Sequence, residues 1–198
     1  MYGKPLPNWS VALFPTDTRS IISAVFLALG FTVTMQIGER IDAAYGGLAP
    51  LVAIVIGTFW FASGSMFYGI VGALIVSWVN PVVANLTATG PLAPLWFTVN
   101  PMYNVPLALF VRYFKPPDRG LRFWEFQAMN MVCGLLAMVT PFIAYLMFLN
   151  LTLAVAVFWV AAAMVSFFVS GFVTFPILRK MLDSGLIATA VPDEPRHA

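Results

Sequence analysis

Histidine and cysteine are almost missing from this chain, with one of each in 198 residues. No intrachain disulfide can form, and Cys133, inside an apolar stretch, reads as a buried thiol. The lone histidine, His197, stands next to last in a Pro- and acid-containing tail, so no imidazole is offered for metal, haem or acid-base work inside an apolar region. A metal site and a resident cofactor are therefore not expected. Charge is scarce as well: Asp, Glu, Lys and Arg make up 9% of the chain while hydrophobic residues make up 61%, against roughly 25% charged in an average soluble domain. That balance excludes an ordinary soluble globule. Neither a P-loop nor a basic stripe occurs, which removes nucleotide hydrolysis by this chain and leaves no nucleic-acid surface. No paired carboxylates, Cys-His or Ser-His set falls where it could be assembled, so the chain is not expected to be an enzyme.

What is present is long uncharged sequence: 19 residues between Arg19 and Glu39, 69 between Asp42 and Arg112, and 53 between Glu125 and Arg179. Crossing about 30 Å of hydrocarbon takes about 20 residues of helix, so these runs hold one, three and two spans. The expected fold is an all-α integral membrane protein, a six-transmembrane-helix bundle. Its spans fall near 20 to 38, 45 to 62, 64 to 84, 92 to 113, 126 to 149 and 152 to 178. The long run divides at the small polar stretch Ala62-Ser63-Gly64-Ser65 and again from Asn80-Pro81 to Pro94, and the last run divides at Asn150-Leu151-Thr152. By this reading residues 1–19 form an N-terminal cytoplasmic segment, 20–182 the membrane domain and 183–198 a polar cytoplasmic tail.

Six spans put both termini on one side. That side collects Lys4, Arg19, Arg112, Lys115, Arg119, Arg122, Arg179, Lys180 and Arg196, and the other has only Arg40. The positive-inside rule then makes both termini cytoplasmic and the basic loop from Arg112 to Arg122 a lipid-headgroup contact.

No charged residue lies at the centre of any span, which disfavours a self-powered ion-coupled transporter. Polar residues gather toward the outer half. Asn100, Tyr103 and Asn104 share one helical face, with Trp96 above it, between Pro101 and Pro106 on either side of the turn. This face suits either a ligand cavity open to the outside or interhelical hydrogen bonding. The outer loop Glu39-Arg40-Ile41-Asp42, followed by Gly46 and Gly47, suits ligand recognition or a solvated turn, and Gln36 shares a face with Arg40. On the inner half, Ala24 and Ala28 stand four apart, a spacing that lets another helix approach closely.

In layout these parts resemble the substrate-binding subunits, or S components, of energy-coupling factor (ECF) transporters. The segment Ser23-Ala24-Val25-Phe26-Leu27-Ala28-Leu29-Gly30 is similar to the Ala-x-x-x-Ala segment by which that family docks its transmembrane coupling subunit. Gly69-Ile70-Val71-Gly72-Ala73-Leu74 is similar to a small-residue stretch on its third helix. The resemblance implies a bacterial or archaeal cytoplasmic-membrane protein that binds a small molecule, vitamin-like or another micronutrient, and works with a coupling subunit and ATPase subunits. Gln36, Arg40, Trp96, Asn100, Tyr103 and Asn104 would bind the ligand, and Ala24 and Ala28 would dock the partner. Two other classes fit the residues: a structural or accessory subunit of a larger membrane complex, and an autonomous channel or facilitator for a neutral solute.

Overall fold

A computed structural model describes residues 2–45, 51–87 and 93–185. These residues form α1 (Thr18–Ala44), α2 (Leu51–Leu86), a short 3-10 turn (Ala93–Leu95), α3 (Trp96–Phe114), α4 (Phe123–Met147) and α5 (Leu153–Asp183). The described residues are all-helical in their regular structure, and α1, α2, α4 and α5 are each long and apolar enough to cross a membrane. Phe26, Leu29 and Val33 of α1, Leu135, Val139 and Ile143 of α4, and Phe158, Val165 and Phe168 of α5 are exposed. Such outward faces suit hydrocarbon and not water.

There are five α-helices among the described residues and not six, because the expected second and third spans are one 36-residue element. That element is interrupted at Tyr68 (φ −129°, ψ 19°) and Gly69 (φ 57°, ψ −149°). A Cβ placed on Gly64 would lie 2.7 Å from a Val76 methyl, and one on Gly72 would lie 2.4 Å from the Gly64 carbonyl oxygen. In a straight helix residues 64 and 76 would be about 18 Å apart. The chain therefore turns back at Tyr68-Gly69, and 51–67 and 70–86 pack against each other as two arms. The expected division at Ala62 to Ser65 is corrected by this geometry. Those small residues are buried helix surface where the arms approach closely, which in an apolar medium is what small residues are used for.

Local chemistry sets the helix ends. Asp17 caps α1 by accepting from the Ser20 N–H at 2.9 Å. Hydrogen bonds from Ser20, its hydroxyl and then its backbone N–H, hold the Asp17 carboxyl below its usual value. The cap thus persists above the ordinary carboxylate range and is lost as pH falls through the lowered value. Asp42, in the last turn of α1, caps α2: its two oxygens accept from Val52 N–H at 2.8 Å and Ala53 N–H at 2.9 Å. Asp42→Ala is expected to cost about 1 kcal/mol and to speed amide exchange at Val52 and Ala53; unchanged exchange there would contradict the cap. Between α3 and α4, Arg119 grips Glu125 with two bonds of 2.6 and 2.8 Å, while Glu125 accepts the Arg122 N–H at 2.7 Å.

Residues 2–13, part of the expected N-terminal cytoplasmic segment, cross one end of the bundle with Leu6, Trp9, Val11 and Ala12 buried. Tyr2 donates its hydroxyl to the Phe172 carbonyl, the Leu6 N–H bonds Leu121 O at 2.8 Å, and the Ile70 N–H bonds Leu13 O at 2.8 Å. Lys115 donates to Asn8 at 2.7 Å and lies over the Trp9 ring, and burial pushes its ammonium below its usual value. This strap brings together the start of α1, the bend of α2, the α3–α4 link and the last turns of α5. Lys4, Arg19, Arg112, Lys115, Arg119, Arg122, Arg179 and Lys180 accordingly share one end of the bundle, and Arg40 stands at the other. Gly46 and Gly47, Arg196 and the rest of the tail beyond Gly185 lie outside the described residues.

Candidate ligand cavity

In the half of the bundle away from the basic end, all five helices wall a cavity. Met35 comes from α1, Ala53, Ile54 and Phe61 from the first arm of α2, and Asn80 from the second arm. Trp96, Val99, Asn100 and Tyr103 come from α3, Ala137 and Met138 from α4, and Phe167 from α5. The cavity between these walls measures about 30 Å³. Clearance inside is enough for about two waters, so a larger guest must displace side chains.

Trp96, Asn100 and Tyr103 recur every three or four residues and so present one face, as their spacing predicts. Tyr103 is fully buried: its ring stacks on Phe167 with centroids 5.4 Å apart, and its hydroxyl donates to Asn130 Oδ1 at 2.6 Å. Asn130 in turn donates to the Phe167 carbonyl at 2.6 Å, which fixes the side wall of the cavity. Asn130→Leu would leave the tyrosine donor without its partner, while the Phe167 carbonyl keeps the Ser170 hydroxyl. A melting-point loss worth about 0.6 kcal/mol, the average for such bonds between membrane helices, is expected in detergent; an increase in stability would show that the network is strained.

Asn104 lies one turn farther along and does not reach the cavity. It donates to Ser77 Oγ at 2.7 Å and accepts from Ser65 Oγ, joining α3 to both arms of α2. Its side chain is interhelical glue. Gln36 is half-buried beside the cavity wall, not in it; its Oε1 accepts from Thr87 and its Nε2 has no partner. Arg40 is exposed at the far end of α1. Of the six expected ligand contacts, then, Trp96, Asn100 and Tyr103 line the cavity, and Gln36, Arg40 and Asn104 do not.

No family model, curated protein or solved structure matches this chain. The site therefore rests on its own geometry. One polar residue there, Asn80, escaped the sequence reading as a cavity residue. Asn80, only 1% exposed, lines the cavity and donates its amide to Glu39 Oε1 at 3.2 Å. Glu39 itself is buried, although its neighbours in sequence suggest a solvated turn.

The amide orientations follow from these partners. A carboxylate and a backbone carbonyl only accept, so Asn80 turns its NH₂ to Glu39 and Asn100 turns its NH₂ to Ser77 O at 3.1 Å. Each carbonyl oxygen is left over, and Asn80 Oδ1 is buried with no hydrogen-bond partner.

Ala24 and Ala28 are corrected as a docking pair. Both are completely buried in a helix that packs chiefly on α2, and a residue closed off inside its own bundle offers no surface to a second protein. The spacing identified a close helix contact and assigned it to the wrong neighbour.

Proposed function

We propose that this chain is the membrane-embedded small-molecule-binding subunit of a multi-subunit, ATP-driven importer, as its likeness to ECF S components implies. The observation that carries the reading is the cavity walled by all five helices, apolar around most of its surface and polar at Asn80 and Asn100, the general make-up of a ligand site. The basic end is taken as cytoplasmic by the positive-inside rule, which turns the cavity half toward the outside. The strap at the opposite end, with its buried Leu6 and Trp9, separates the cavity from the cytoplasm, so release inward needs a partner that moves helices. With Ala24 and Ala28 committed to α2, a coupling subunit meets α1 on its exposed face at Val25, Phe26 and Leu29.

Mild detergent extraction from the native membrane, followed by mass spectrometry of all that co-purifies, tests the reading. Recovery of ATPase subunits, a coupling membrane protein and one stoichiometric metabolite is expected. A large redox or pigment complex in place of these would make the chain a structural subunit.

A further inference from the structure

The cavity's polar atoms have a sign. Asn80 and Asn100 both spend their NH₂ groups on protein acceptors, Glu39 Oε1 and Ser77 O, so each has only its carbonyl oxygen left over for a guest. Asn80 Oδ1 is the decisive atom: it is buried, it belongs to a cavity-lining residue, and it accepts no hydrogen bond. Leaving a buried acceptor unpaired is costly, and such an atom in a native fold points to a missing partner. The hydrogen bond that the amide donates to Glu39 Oε1 polarises it further and makes that oxygen a stronger acceptor. Around these atoms stand the rings of Phe61, Trp96, Tyr103 and Phe167, whose faces are negative and attract cations. Among the described residues no Lys, Arg or His lines the cavity, and Arg40 is exposed at the end of α1. A carboxylate or phosphate would meet carbonyl oxygens and ring faces with no counter-charge.

We infer that the cavity selects a small, largely apolar or aromatic molecule whose head is a cationic or N–H-donating group, such as an ammonium, amidinium or protonated amino-heterocycle, bound by Asn80 Oδ1 and Asn100 Oδ1. This rests on the cavity being the ligand site. The body of the guest lies against the rings, and Met35 and Met138, unbranched and easily repacked, give way to admit it.

The full chain, solubilised in mild detergent, is titrated with benzamidinium, benzoate and benzyl alcohol, matched in size, and dissociation constants are read by ligand-observed NMR. Benzamidinium is expected to bind at least about tenfold more tightly than benzoate, as one or two charge-assisted hydrogen bonds predict. Asn80→Leu should remove most of that preference and Asn100→Leu part of it. The wild-type comparison decides even where a variant does not fold. Benzoate or benzyl alcohol binding as tightly as benzamidinium overturns the head-group assignment and leaves the cavity as a ligand site. Absence of binding by all three, with no metabolite co-purifying from the membrane, overturns both.

Discussion

Gly69→Val is expected to destabilise the protein by more than about 3 kcal/mol, through backbone strain and a steric clash acting together. Gly69 has φ 57° and ψ −149°, at the edge of a region that only glycine occupies freely. A Cβ there would also stand 2.4 Å from Ala12 O and 2.5 Å from Leu13 O. Those carbonyls belong to the strap and cannot retreat without giving up the Ile70 N–H bond to Leu13 O. Gly185 separates the two contributions, because it too has positive φ (66°) but a Cβ there meets nothing within 4 Å. Gly185→Ala should thus show strain alone, about 1 kcal/mol, and Gly69→Ala clearly more. Melting in detergent, with limited proteolysis at the bend, measures the series; equal losses at the two glycines would mean that the strap does not press on the bend.

Trp9→Ala carries the second large effect. Its indole is buried and donates to the Met66 carbonyl at 2.8 Å, beside the edge of Phe67 at 5.9 Å between centroids. The bend in α2 breaks the helical ladder, which orphans carbonyls at the end of the first arm and N–H groups at the start of the second. The strap supplies both partners: Trp9 Nε1 for Met66 O and Leu13 O for the Ile70 N–H. Loss of a buried indole costs about 3 kcal/mol or more in a packed core. Trp9→Phe, which keeps most of the apolar contact, should lose about 1 kcal/mol for the orphaned carbonyl. Protease cleavage within residues 2–13 should accelerate in Trp9→Ala and scarcely in Trp9→Phe. Equal cleavage of wild type and Trp9→Ala would show that the indole does not hold the strap down.

What the sequence made readable was whatever depends on near neighbours. The break between α4 and α5 around Asn150 to Thr152 and the shared face of Trp96, Asn100 and Tyr103 both follow from residues within a turn or two. Features set by a distant contact were misread. Ala62 to Ser65 look like a turn, since small polar residues mark turns in water; their role was decided by Gly72 and Val76 on the returning arm. Gly69 carries no local sign of its positive φ, because an apolar Tyr-Gly-Ile sequence suits a helix interior equally well. Asn80 and Glu39 are 41 residues apart, and only the fold-back of α2 beside α1 brings them together. Helix rotation, invisible in an unaligned sequence, turned Ala24 and Ala28 inward and Asn104 toward Ser77, away from the cavity.

The strap also sets an order of events in biosynthesis. Residues 2–13 leave the ribosome before anything they touch has been made, and their partners arrive one at a time: Met66 and Ile70 with the bend of α2, Leu121 with the α3–α4 link, Phe172 with α5. Tyr2 waits through 170 residues of synthesis for its acceptor. Until its partners exist, the segment's apolar Leu6, Trp9 and Val11 have no bundle to pack against. A segment made before all of its partners is thus among the last to settle, and closure of the basic end requires that α2, the α3–α4 link and α5 are in place.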